Sequence, residues 1–177
     1  YSLVDRARTY FVCGGVPLYL RAFSDDRSVE HNIAANFLDE YAALYREPEF
    51  LLREELRELA SYDAILEALA CGASSATELS RRTDVGNRAL HYYLKQLVEL
   101  GYVARRFPLT GRPPAQRQVR FTLEDPLLRF WFRLVFPNSS IVQQRGASRA
   151  LAERVRPGLD AYFGLCFERL CREALPG

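Results

Sequence analysis

Methionine is absent from this 177-residue chain, and lysine occurs once, at Lys95, although 24 residues are Lys or Arg. Without methionine Tyr1 is not a translation start, so the chain is expected to be a piece of a longer polypeptide. A strongly helical ending, Cys166–Leu175, cut just before Pro176-Gly177, fits that expectation. Scarcity of lysine has a chemical consequence. An NTP-hydrolysing loop presents its lysine to the phosphates on a glycine-rich turn, and no such turn precedes Lys95.

Histidine is nearly as rare: His31 and His91 stand alone, and no Gly-x-Ser-x-Gly elbow supplies a nucleophile. Cys13, Cys71, Cys166 and Cys171 lack the paired spacing of a zinc site, so no metal is expected and the thiols read as reduced and mostly buried. Carboxylate pairs such as Asp25-Asp26 and Glu54-Glu55 are sequence neighbours that diverge around a helix, which suits solvated faces better than acid–base chemistry. No catalytic residue is assigned, and the chain is not expected to be an enzyme. Long apolar runs are also missing. The greasiest stretch, 127–136, is interrupted by Arg129 and Arg133, and no signal peptide opens the chain. A soluble, cytoplasmic protein without membrane contact is expected.

What is present is a mainly α pattern with one strand pair. Residues 61–124 read as a winged helix-turn-helix. Tyr62–Ala70 forms a first helix ended near Gly72, Ser75–Arg82 a second capped by Ser74, and Gly86–Leu100 a third stopped by Gly101. Tyr102–Phe107 and Gln118–Leu123 then make a two-stranded wing around a loop rich in proline and glycine. Such an order places one helix in a DNA major groove.

Charge is concentrated there. The net charge is −4 over residues 1–60 and −3 over 61–80, whereas 81–120 holds nine basic against two acidic side chains. Leu90, Leu94, Leu97 and Val98 recur at core spacing in the third helix, leaving Arg88, His91, Tyr92, Lys95 and Glu99 opposite, with Asn87 in the first turn. Asn87 and Arg88 carry donors suited to base edges, and Lys95 a point charge suited to phosphate. Arg105, Arg106, Arg112 and Arg117 are placed to meet flanking phosphates or the minor groove. Two readings follow: an interface for double-stranded DNA, or a winged helix that docks another protein.

Residues 1–60 read as a small helical subdomain, broken at Gly14-Gly15-Val16-Pro17, with a long helix from Ser28 to Arg46 striped by Ile33, Phe37, Tyr41 and Leu44. Pro48 ends that segment, and a further amphipathic helix starts at Phe50. Residues 125–177 hold an aromatic helix from Leu127 to Phe136, a polar linker with one helix over 139–158, and a final helix from Asp160 to Leu175.

Three stretches resemble a prokaryotic family of P-loop ATPases, related to AAA+ and STAND proteins, that ends in a nuclease-like domain of unknown function. They are Tyr10–Phe23, carrying Gly14-Gly15-Val16-Pro17-Leu18-Tyr19-Leu20, then Glu49–Leu56, and Leu123–Asn138. The resemblance implies a helical lid at 1–60, the winged helix at 61–124 and the start of the terminal domain at 125–177. It implies ATP and Mg²⁺ in the parent protein, held by the missing ATPase core, with Gly15, Val16 and Pro17 beside the adenine. No cofactor is expected in this chain itself. Glu168 would match the first acidic position of the nuclease-like domain. Three functions remain open: a DNA-binding region of an ATPase, a regulatory interaction module relaying nucleotide state, or the targeting region of a nuclease whose active site lies further on.

Overall fold

In the computed structural model, residues 1–107 and 118–174 are described. In chain order the elements are α1 (Leu3–Cys13), α2 (Pro17–Leu20), α3 (Val29–Phe37), α4 (Glu47–Glu55), α5 (Leu59–Ala70), α6 (Ala76–Thr83) and α7 (Asn87–Glu99). Strands β1 (Val103–Arg106) and β2 (Arg120–Leu123) follow, then α8 (Pro126–Phe130), α9 (Ser139–Arg145), α10 (Ala147–Ala150) and α11 (Arg156–Ala174). The fold is mainly helical, with a winged helix-turn-helix at α5–α7 and β1–β2. Two compact units divide the chain: Leu51–Arg133, and Tyr1–Phe50 together with Leu134–Gly177. Both boundaries drawn from sequence, at 60/61 and 124/125, fall inside the first of these.

Within Leu51–Arg133, capping residues position each helix. Gly72, at φ 93°, ends α5 in a Schellman turn: its N–H reaches Leu69 O at 3.0 Å, and Ala73 N–H reaches Ala68 O at 2.9 Å. Ser75, one residue later than expected, caps α6 by accepting from Glu78 N, while the Glu78 carboxylate accepts from Ser74 N and Ser75 N. This reciprocal box selects Ser75 over Ser74 because only Ser75 has a glutamate three residues ahead. Asp84, in the left-handed region at φ 53°, turns the chain from α6 into α7.

The wing is antiparallel, with Val103 opposite Leu123 and Arg106 opposite Arg120. Phe121 N–H donates to Ser74 O at 2.7 Å, so β2 also holds the segment between α5 and α6. Leu66, Leu79, Leu90, Leu94 and Leu97 are essentially sealed from solvent and form the centre of the helix-turn-helix.

In the unit formed by 1–50 and 134–177, the Tyr162 hydroxyl donates to Phe11 O at 2.7 Å and ties α11 to α1. Asn32, buried on α3, donates to Ser24 O and Ser28 O and accepts from Ser24 N, so its amide is satisfied without water. The long helix expected over 28–46 stops at Phe37, and Tyr41 is 90% exposed. Asp39 explains the stop: its carboxylate accepts from Tyr41 N at 3.0 Å, a local turn that competes with the helix. Pro48 lies in the first turn of α4 rather than ending a segment, where its missing N–H costs nothing.

The polar stretch 139–158, expected as a linker, is helical apart from a break at Gly146, at φ 78°. Four of its apolar residues, Val142, Ala150, Leu151 and Val155, are buried, and Arg145, Arg149 and Arg154 project to solvent. Wide π-type turns occur at Trp131–Val135 and Leu151–Val155, two residues before Pro137 and Pro157 respectively. A proline in a helix cannot bond the carbonyl four residues back and clashes with it, and a wider turn relieves both problems.

Candidate nucleic-acid interface

The geometry of α7 follows from its sequence. Leu90, Tyr93, Leu94 and Leu97 form its buried face, with Val98 half-buried at the margin. Tyr93 takes a core position that the apolar spacing assigned to Val98. Its ring packs edge-on against Tyr62 at 4.8 Å, and its hydroxyl donates to Glu58 Oε2 at 2.7 Å. A phenol of this kind buries its ring and keeps a partnered tip, which a count of aliphatic residues does not register.

Asn87, Arg88, His91, Tyr92 and Lys95 all stand exposed on the other side of α7. The structure thus brings these five together on one helix. Gly86 caps α7 without a side chain, so its first-turn amides carry no side-chain partner. These amides and the positive end of the helix dipole favour an anion. Lys95 Nζ lies 3.6 Å from Glu99 Oε1, an exposed pair that water and salt readily loosen. Arg88 has no acidic partner among the described residues.

The wing divides its arginines. Successive strand residues face opposite sides, so Arg105 and Arg106 do not act alike. Arg105 shares its face with Phe121 at the outer end of β1 and is exposed. Among the described residues it has no acidic partner. Arg106 is engaged: its Nη2 donates to both Glu124 oxygens at 3.1 Å, and Thr122 Oγ1 donates to Glu124 Oε1 at 2.8 Å. Arg112 and Arg117 lie outside the described residues. Arg81 and Arg82, which the sequence reading left out, stand exposed at the end of α6 and add to the positive field. The run of basic residues from 81 onward was the signal that marked them.

Tyr92 has a second neighbourhood. It lines a cleft of about 370 Å³ with Glu55, Glu58, Tyr62 and Tyr93, which is acidic rather than basic. The remaining sequence-assigned positions lie in the other unit. Gly15 and Val16 are exposed, Val16 being the N-cap of α2, and Pro17 opens that helix. Glu168 is paired with Arg172 one turn along α11. Cys13 and Cys166 are buried, and burial pushes the Cys13 thiol up to about 12, which keeps it protonated and unreactive. No cluster of three or more metal-ligating side chains occurs among the described residues. No helix among them is long and apolar enough to cross a membrane.

Comparison with known proteins gives three findings. Residues 131–177 match the family DUF234, described as archaeal and bacterial proteins of unknown function. An uncharacterized protein of Methanocaldococcus jannaschii is 29% identical over 170 residues, covering 94% of this chain. The chain spans 36% of that relative's length. Among solved structures, the reduced form of MarR from E. coli covers 72% of this chain and 84% of its own at 22% identity, with a TM-score of 0.36.

Proposed function

We propose that the α5–α7 helix-turn-helix and its wing bind double-stranded DNA, with α7 in the major groove and β1 along the adjoining backbone. The observation that carries this reading is the exposed row Asn87, Arg88, His91 and Lys95 on α7, continued by Arg105, with neither arginine occupied by an acidic partner among the described residues. Asn87 and Arg88 supply donors for base edges, and Lys95 and Arg105 neutralise phosphates. Arg106 serves the wing itself through Glu124.

We further propose that the chain is a non-catalytic part of a larger P-loop ATPase, whose missing core holds ATP and Mg²⁺. The Gly14-Gly15-Val16-Pro17 turn and the matched segment 131–177 support that reading.

Fluorescence anisotropy of a random-sequence duplex, at about 50 and about 200 mM salt, tests the interface. Four phosphate contacts, by Arg81, Arg82, Lys95 and Arg105, predict an affinity loss of about 150-fold between those conditions. Arg88→Ala/Lys95→Ala should reduce the loss to about 40-fold, because the counterion released by Lys95 disappears from the slope. Arg105→Ala should lower the slope by about one contact, and Arg106→Ala should leave it unchanged. Folded protein that gives flat titrations at low salt would refute DNA binding and leave the regulatory interaction module as the surviving reading.

A further inference from the structure

The cleft beside α7 has a chemistry opposite to that of the DNA-facing row. Three phenol rings line it, Tyr62 and Tyr93 in edge contact at 4.8 Å and Tyr92 against Tyr93 at 5.7 Å. Glu55 and Glu58 line it too, and neither forms an ion pair among the described residues. Glu58 is held in place by the Tyr93 hydroxyl instead of capping α5 with its side chain. Arg57 and Gln96 complete the polar lining.

One group in this cleft is unprovided for. Tyr62 is only 3% exposed, yet its hydroxyl makes no hydrogen bond among the described residues. The phenol is pushed above its usual range by burial first, then by Tyr92, Tyr93 and Glu58, which places it against the same groups that line the cleft. The Tyr62 hydroxyl oxygen itself keeps contact with solvent and opens on the cleft, where a ligand N–H can donate to it. Aromatic faces attract cations through their quadrupole, and unpaired carboxylates supply the counter-charge.

From the unpartnered Tyr62 hydroxyl, the tyrosine rings and the two carboxylates, we infer that this cleft binds an organic cation bearing N–H donors, an alkylammonium or a guanidinium. This site is independent of DNA binding, since of its lining only Tyr92 belongs to the proposed DNA face. The same chemistry is offered by a free amine and by an arginine side chain of a peptide.

Titration of the full chain, followed by NMR chemical shifts, distinguishes these sources with four probes. They are n-butylammonium, tetramethylammonium, the capped tripeptide Gly-Arg-Gly, and neutral n-butanol. Saturable shifts at Tyr62, Tyr92 and Tyr93 are expected with n-butylammonium, with the tripeptide, or with both, and the tighter probe identifies the source. Glu58→Gln and Tyr92→Ala should each weaken binding about fivefold. Arg57→Gln should tighten it about threefold by removing a like charge.

Tyr62→Phe keeps the packed ring and tests the hydroxyl alone. It should weaken n-butylammonium about fivefold and leave tetramethylammonium, which has no N–H, unchanged. Four outcomes would overturn the inference: n-butanol binding as well as n-butylammonium, Arg57→Gln weakening binding, Tyr62→Phe affecting both cations alike, or no saturation from a chain whose spectrum shows it folded.

Discussion

Glu58 is the sharpest place to test the energetic reasoning, because a cost and a gain meet on one residue. Its backbone sits in the left-handed region at φ 57° and ψ 48°, a conformation that costs a non-glycine residue about 1–2 kcal/mol. Its carboxylate receives the Tyr93 hydroxyl at 2.7 Å, a contact worth about 1.5 kcal/mol at the low end for a hydrogen bond to a charged group. Glu58→Gly relieves the backbone but loosens the unfolded chain, for a net gain of about 0.8 kcal/mol from conformation alone. In the natural chain that gain is outweighed by the lost hydrogen bond, so Glu58→Gly should destabilise by about 0.7 kcal/mol. In a Tyr93→Phe background the hydrogen bond is already gone, and Glu58→Gly should then stabilise by about 0.8 kcal/mol. Trp131, the one tryptophan, is 3% exposed and belongs to the same unit as both residues, so its fluorescence during thermal unfolding reports the relevant transition. The background-dependent change of sign corresponds to a difference of about 6 °C or more in midpoint temperature. Equal destabilisation in both backgrounds would show that the hydroxyl–carboxylate contact does not compensate the strained backbone.

Asp125 caps α8 by accepting from Leu128 N at 2.8 Å, but burial pushes its carboxyl above the usual carboxylate range, against the lowering effect of that hydrogen bond. An acid raised on folding contributes stability that is complete below its unfolded pKa of 3.8 and is lost as pH rises through its folded pKa. Asp125→Asn keeps a good cap and should flatten that loss, so urea midpoints from pH 4 to 7 should fall less in the variant; parallel curves would contradict the assignment. Gly72→Ala, at φ 93°, should cost about 1 kcal/mol through backbone strain alone, since nothing lies within 4 Å of the added methyl. Gly86→Ala, at an ordinary φ of −59° and with equal room, should stay within about 0.5 kcal/mol in the same unfolding assay.

The helix-turn-helix was legible because its punctuation is local. Gly72 and Gly101 stop helices by adopting positive φ, and a serine starts one, expected at Ser74 and found one residue on at Ser75 with Glu78, so each boundary is written in a few adjacent residues. Elements whose limits depend on distant or competing groups were not. The Asp39 side chain diverts the chain after Phe37, although the apolar stripe runs on to Leu44. Residues 139–158 look like a linker by composition, yet four small or medium apolar side chains suffice to bury one face of α9, α10 and the turn after them. Grouping 1–50 with 134–177 rests on contacts such as Tyr162 to Phe11, between residues 151 apart, which no local pattern encodes.

The candidate interface was legible as a field but not as a set of contacts. Counting charge over 81–120 located the basic surface, because like charges add at a distance whatever their side-chain conformations. Assigning a role to each charge needs the register of the wing. Arg106 stands across from Arg120, two residue pairs from the Ala104–Thr122 pair and on the same face, and from there it reaches Glu124, which a strand of different register would have carried elsewhere. Arg105, one residue earlier, faces the other way and finds no carboxylate among the described residues. The same division runs along α7, where Tyr93 turns inward to Tyr62 and Glu58 while Lys95 remains outside. Tyr92 sits where the two faces meet, exposed enough to touch DNA and still part of the acidic cleft. A cation held in that cleft would therefore lie beside the recognition helix without competing for its arginine and lysine. On the two proposals together, a cationic ligand and a polyanion sit on different flanks of α7.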